Sequence, residues 1–171
     1  MVKNLGPYLK DNENEKMEIT FRKLEKNDFN EIYKWRMDKY TQQTGFHIHD
    51  LNNHINWMKE GLEEKNTNVF VLFDGLNKIG TVRFDNFIKN KKRISEIGII
   101  IAPEHRKKGY SVKAIKILSS YYLNINKTDI IYARIKKENN ISKNIFKKAG
   151  YILGEDIFDD EFKGTYHCYI K

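Results

Sequence analysis

The sequence predicts one α/β domain built on a mixed, mostly antiparallel sheet of about seven strands, flanked by about four helices on both faces. Three observations lead there. Seven stretches carry strand patterns and four carry helical spacing. The strands come first as a meander and then as strand–helix–strand, an order that gives a mixed sheet covered on both faces. The chain has 171 residues, 40% apolar and 32% charged, enough for one core that needs neither disulfide nor metal.

The elements follow in order. Residues 1–16 end in Asp-Asn-Glu-Asn-Glu-Lys and read as a polar lead-in to a domain over 17–171. Residues 18–24 alternate apolar and polar, as a half-buried strand does. Asn27 or Asp28 then caps a helix with Phe29, Ile32, Tyr33 and Arg36 on one side. Residues 40–49 read as a loop, and Asp50 caps a helix carrying Leu51, Ile55, Met58 and Leu62. Residues 69–73 form a strand, Asp74-Gly75 a turn, and 79–84 its hairpin partner. The basic turn 89–93 leads to a strand at 94–102. A helix at 110–123, a strand at 129–135 and a helix at 140–149 come next, the last stopped by a C-cap glycine, Gly150. Strands near 151–157 and 162–170 close the chain. There is no internal repeat or second domain.

Composition narrows function. The lone cysteine, Cys168, excludes an intrachain disulfide framework and a cysteine-based metal site. The N-terminus lacks the apolar stretch of a signal peptide, and no run is long enough for a membrane span, so a cytoplasmic protein without membrane partners is expected. The net charge of +8 favours anionic partners. Its lysines are scattered, and no zinc finger, RNA-recognition signature or basic helix appears, so nucleic acid is not expected as a partner.

The most informative stretch is 94–113. A buried strand ends at Pro103, and the basic loop Arg106-Lys107-Lys108-Gly109 enters a helix. Successive N–H groups at a helix N-terminus cradle phosphate. Gly109 would let a phosphate approach the backbone, and three basic side chains surround it. An ordinary strand-to-helix turn with solvated lysines has the same composition. Neither the Walker pattern nor the three-glycine dinucleotide fingerprint is present.

Arg106-Lys107-Lys108-Gly109-Tyr110-Ser111 resembles the pyrophosphate-binding loop of the GNAT N-acetyltransferases, and follows their habitual Ile-Ala-Pro-Glu-His. Asn140-Ile141-Ser142-Lys143-Asn144-Ile145-Phe146-Lys147-Lys148-Ala149-Gly150-Tyr151 resembles the family's second signature. The opening, Phe21-Arg22-Lys23-Leu24 through Ile32-Tyr33-Lys34-Trp35-Arg36, is similar to the branch that holds ribosomal-protein N-terminal acetyltransferases and many bacterial small-molecule acetyltransferases. The resemblance spans about residues 17–170. It implies the GNAT fold and acetyl-coenzyme A as co-substrate, held by Ile99, Ile100, Ile101, Arg106, Lys107, Lys108, Gly109, Tyr110, Ser111, Asn140, Phe146 and Lys147. Ser111 stands where the loop usually has Gly or Ala. Phe146 stands where many members carry the tyrosine that protonates the leaving thiolate.

The chemistry needs a neutral amine, yet an alkylamine of pKa about 10.4 is mostly ammonium at pH 7, so a general base is required. The resemblance points to Glu96 on the strand, acting directly or through water; the alternative is a structural ion pair with Arg83 or Arg93. Ser142 is implied as a hydrogen-bond partner of the sulfur; the alternative is capping of its own helix. Backbone N–H groups around Ile100 and Ile101 would polarise the thioester carbonyl, and Asn140 would bond the pantetheine arm. Gly98, inside a buried strand, marks a bulge or a close backbone approach. No metal is implied, and His47 and His49 in one loop read more simply as surface residues.

The acceptor is expected against the first helices and the 40–49 loop, with Trp35, Arg36, His47, His49, Trp57 and Arg83 as candidate lining. Burial is the simpler reading of Trp35 and Trp57. Arg36 continues the apolar face of its helix, so it points into a cleft and pairs with an anionic acceptor. The Trp-Arg phrase is also similar to bacterial acetyltransferases of nucleotide-linked amino sugars. Other acceptors are a protein N-terminus, a polyamine or an aminoglycoside; the net positive charge counts against the two polycations. A homodimer is compatible with the sequence, as is a sensor that binds acetyl-coenzyme A without turnover.

Overall fold

A computed structural model of the chain describes residues 18–42, 50–63, 66–159 and 164–171, with the backbone alone for residues 57, 60–62, 157–159 and 164–169. The lead-in 1–16, His47 and His49 lie outside the described residues, as do the side chains of Trp57 and Cys168.

The chain runs β1 (Ile19–Lys23), a 3-10 turn (Lys26–Asp28), α1 (Phe29–Met37), α2 (Lys39–Gln42) and α3 (Leu51–Glu63). It continues with β2 (Thr67–Asp74), β3 (Asn77–Lys89), β4 (Lys92–Ile101), a second 3-10 turn (Pro103–His105) and α4 (Tyr110–Ile125). Then come β5 (Ile130–Lys136), α5 (Asn140–Lys148), β6 (Ile152–Asp159) and β7 (Gly164–Ile170). The sheet has the order β1-β2-β3-β4-β5-β7-β6, and every pairing is antiparallel except β4 with β5.

Each face of the sheet carries its own core. On one face, α4 and α5 bring Ala114, Ile115, Leu118, Tyr122 and Phe146 onto Phe70, Leu72, Val82, Phe84, Ile97 and Ile131. The rings of Phe84 and Tyr122 stack at 3.6 Å. On the other face, α1 and α3 bury Phe29, Ile32, Trp35 and Met58 against Val69 and Val71. Alternation along the strands sends one set of side chains to each core. Burying a side chain of this size contributes about 1.5–3 kcal/mol.

Three local features differ from the sequence expectation. Residues 39–42 make a helical turn rather than loop, because the Asp38 carboxylate accepts from the N–H groups of Tyr40 (2.9 Å) and Thr41 (3.2 Å). β3 is longer than 79–84, since Asn90 (φ 50°) and Lys91 (φ 62°) make a tight two-residue turn and the ladder closes at Lys89 opposite Lys92. Asp28 precedes α1 without capping it. Its carboxylate, fully buried, instead accepts from the Glu25 N–H (2.9 Å) and pairs with Arg22 at 2.7 and 2.9 Å and Lys78 at 3.0 Å. Burial alone would raise its pKa, but these partners outweigh it and hold the group below the ordinary range. Asp50 does cap α3, accepting from the Asn53 N–H at 2.9 Å.

Gly150 ends α5 as expected, at φ 90°. The Tyr151 N–H donates to the Phe146 carbonyl and the Gly150 N–H to that of Lys147, both at 3.0 Å. The Tyr151 ring meets that of Phe146 edge-on at 5.0 Å. Two crossed hydrogen bonds and an apolar clasp together make a Schellman stop.

Candidate active site

The sheet opens between β4 and β5. Their parallel ladder holds at Ile94↔Ile130, Ser95↔Ile131 and Glu96↔Tyr132 and then stops. Past that point β4 stays paired with β3 as far as Ile101, and β5 with β7 as far as Lys136. One edge of β4 between residues 97 and 101 therefore directs backbone polar groups into the gap. Ile99, Ile100 and Ile101 lie along it, with Ile99 and Ile101 facing the α4 core and Ile100 the α1 core.

The basic loop stands at the open end of the gap. Lys107 (φ 61°) and Gly109 (φ 84°) both take left-handed conformations, and Gly109 is the N-cap of α4. The tight path brings the first N–H groups of α4, at Tyr110 and Ser111, to the mouth. Lys107, Lys108 and Gly109 are exposed there. This arrangement fits a pyrophosphate. Tyr110 itself is core, its hydroxyl donating to Asp74.

Arg106 is occupied differently from the charge role expected of it. Its guanidinium donates to Asp38 (2.8 Å), Thr41 Oγ1 (3.0 Å) and the Ile101 carbonyl (3.1 Å), and lies over the Tyr40 ring. It ties the loop to the segment after α1. Asp38 is held below the usual carboxylate range: burial opposes, while Arg106 and the N–H groups of Thr41 and Tyr40 prevail.

Glu96 stands where the ladder ends, on the α1–α3 face. The hydroxyl of Tyr132 donates to its Oε2 at 2.5 Å, and Arg134 Nε donates to Oε1 at 3.2 Å. The structural partner is thus Arg134, not Arg83 or Arg93: β5 lies beside Glu96, while Arg83 bonds Asp85 and Arg93 pairs with Asp129. Gly98, the next residue on that face, sits in an unbroken register opposite Arg83. It marks neither a bulge nor a close approach, since a Cβ built there would meet nothing within 4 Å. Its missing side chain leaves open space above β4.

Beside that space Arg83 donates to Asp85 Oδ1 from Nε (2.8 Å) and Nη2 (2.6 Å), and the same oxygen accepts from Thr67 (2.8 Å). Arg36 on α1, buried at 6% exposure, lies within the electrostatic influence of both Arg83 and Asp85. Burial first and the charge of Arg83 second push its pKa down to about 9, with Asp85 opposing.

The remaining expected residues are dispersed. Trp35 is 4% exposed and belongs to the core. Phe146 is 4% exposed, clasped by Tyr151. Ser142 does not cap α5; Asn139 does, accepting from the Ser142 N–H at 3.0 Å. Asn140 and Lys147 are exposed on α5. Sequence reasoning missed Asp85, Tyr132 and Arg134, whose relation to Glu96 depends on strand order. Among the described residues no cluster of acidic, histidine or cysteine side chains is arranged to hold a metal, and no helix is long and apolar enough to cross a membrane.

The described residues thus form a seven-stranded mixed sheet parted between its one parallel pair, with a left-handed glycine loop at the opening. A family profile for the acetyltransferase (GNAT) domain matches residues 18–152, and the chain belongs to that family of N-acetyltransferases. Solved structures share the fold. The spermidine N-acetyltransferase of Vibrio cholerae in complex with CoA and spermine is 22% identical at a TM-score of 0.76, over 88% of this chain and 94% of that one. Aminoglycoside acetyltransferase AAC(6')-Ib, in complex with coenzyme A and kanamycin, is 13% identical at 0.80, over 90% and 94%. RimL, a ribosomal L7/L12 alpha-N-protein acetyltransferase in complex with coenzyme A, is 10% identical at 0.78, over 92% and 94%. No curated protein sequence matches.

Proposed function

We propose that this chain transfers the acetyl group of acetyl-coenzyme A to a primary amine of a small molecule by direct attack of the amine on the thioester. The observation that carries the reading is the parting of β4 from β5 just past Glu96, with the Gly109 loop at its open end. The donor's arm would lie in the gap, bonded by the β4 edge and Asn140, with its pyrophosphate on the α4 N–H groups and near Lys107, Lys108 and Lys147. Glu96 would take the proton of the amine. A positioned base of this kind contributes about 10²–10⁴ in rate.

Arg36 favours an acceptor that carries an anionic group. Burial and the charge of Arg83 both oppose the charge of Arg36, and a substrate phosphate or carboxylate beside it would offset them. A nucleotide-linked amino sugar supplies both the amine and the anion. A polyamine or an aminoglycoside would meet the same guanidiniums as a cation. A sensor that binds the donor without turnover remains the second reading, and the buried, hydroxyl-free Phe146 is the observation in its favour.

Free thiol release across a panel tests this. The panel holds UDP- and dTDP-linked 4-amino-4,6-dideoxyhexoses, peptides with free N-termini, spermidine and kanamycin. Fastest turnover on an amino-sugar nucleotide is expected. Fastest turnover on spermidine or kanamycin would remove the anionic acceptor and leave the acetyl transfer. Coenzyme binding without thiol release from any amine would leave the sensor.

A further inference from the structure

The proton that must reach the departing thiolate has no donor at Phe146, which has no hydroxyl and is packed into the α4–α5 core. Tyr132 offers one. It is the last residue of β5 paired with β4, opposite Glu96, so the two side chains flank the point where the gap begins. Its hydroxyl already bonds Glu96 Oε2 at 2.5 Å. The ring of Phe87 meets its ring edge-on at 6.1 Å, and Arg134, two residues along β5, holds the other carboxylate oxygen. Across Glu96 on β3 stands Asp85 with its partner Arg83.

We infer that Tyr132 is the catalytic acid of this enzyme, coupled to Glu96 in a two-residue proton relay. The inference rests on the acetyl-transfer reading above, with Glu96 as base. The ammonium first loses one proton to solvent; then, as the C–N bond forms and the C–S bond breaks, Glu96 takes a second proton from the amine nitrogen. Tyr132 gives its hydroxyl proton to the sulfur. The proton on Glu96 then passes along the existing hydrogen bond to the tyrosyl oxygen. One proton moves from nitrogen to sulfur, and both residues end as they began. A phenol of ordinary pKa about 10 lies within two units of a thiol's 8.5, so the handover is feasible once the neighbouring carboxylate has been neutralised. Arg134 acts as a positioning residue, holding the carboxylate toward the hydroxyl.

A leaving-group comparison tests the relay. Tyr132→Phe and the wild type are each assayed with acetyl-coenzyme A and with S-acetyl-4-nitrothiophenol, whose thiolate departs without protonation. The expected result is a fall in kcat of about 10²-fold with acetyl-coenzyme A and less than about threefold change with the activated thioester. Coenzyme A affinity by calorimetry and Tm should stay near wild type. An equal loss with both donors, or no loss with either, overturns the relay. If the wild type itself releases no thiol, the acetyl-transfer reading falls and the relay with it; wild-type turnover with an unimpaired variant overturns the relay alone. Should the Phe variant fold poorly, 3-fluorotyrosine at position 132 keeps ring and hydroxyl. A rate change confined to acetyl-coenzyme A then supports the relay, and no change overturns it.

Discussion

At the end of α1, Arg36 is held where burial and Arg83 both oppose its charge. Arg36→Met removes that charge and is expected to raise KM for an anionic acceptor about 10–100-fold, the worth of a hydrogen bond to a charged group. An unchanged KM would remove the anionic acceptor. Gly80 makes the opposite kind of case. A Cβ there would stand 2.3 Å from the Ile100 carbonyl oxygen, a contact between backbones that cannot swing away. Gly80→Ala is expected to cost about 3 kcal/mol and lower Tm by about 6–12 °C, read from a thermal melt. Some of this was legible beforehand. Alternation along 94–102 puts Glu96 on a strand face, and the pattern of α5 puts Phe146 on its apolar side. Gly80 was not legible, because its neighbour belongs to the paired strand twenty residues on.

Among the elements, α3 is fastened to α1 by His54, which is fully buried with Nε2 3.1 Å from the Phe29 carbonyl. Burial first, and the charge of Arg36 as well, depress its pKa from 6.5 to about 4, against the Phe29 hydrogen bond that favours the charged form. The native state thus keeps a neutral ring while the unfolded chain takes up a proton below about 6.5. Stability falls as pH drops through that window and levels off near 4, by up to about 3 kcal/mol from this group. Asp28, whose pKa is also depressed, adds to the loss at lower pH. Urea denaturation at stepped pH should show the slope, and His54→Gln should flatten it between 6.5 and 4. Element positions were mostly readable, since caps and glycines act within a few residues: Asp50 and Gly150 stand where their helices begin and end. The turn at 39–42 was not, since Asp38 is oriented by Arg106 from 68 residues away. Nor was the Glu96–Tyr132 pair, because a parallel partner is chosen by a whole crossover and not by spacing.

Across the whole molecule, two layers of helices cover the sheet, and among the described residues nothing stands within 4 Å of a Cβ built at Gly98. A β-branched residue suits a strand better than glycine. Gly98→Val is therefore expected to hold or raise Tm by a few degrees while cutting turnover about tenfold or more, on the proposal that the acceptor approaches Glu96 through the space above Gly98. Equal turnover in the two proteins would mean that the acceptor does not pass there. The net charge of +8 belongs to this scale as well. It draws anions toward the surface without telling which opening receives them; the proposed one is that beside Arg36 and Arg83.

The ladder that stops at Glu96 and Tyr132 has a consequence for how long the protein lasts. β1 through β4 form one contiguous leaf and β5 through β7 another, sewn along the sheet by three paired positions where β3 and β4 share ten. Opening along this seam breaks few hydrogen bonds, so the amides beside it should exchange with solvent before those of either leaf. A donor held there, as proposed, would bridge both leaves and stabilise only the closed protein, by about 2.7 kcal/mol at a hundred times its Kd. In a starved cell the same chain would then be easier prey for proteases. The supply of its acyl donor would set its abundance as well as its rate.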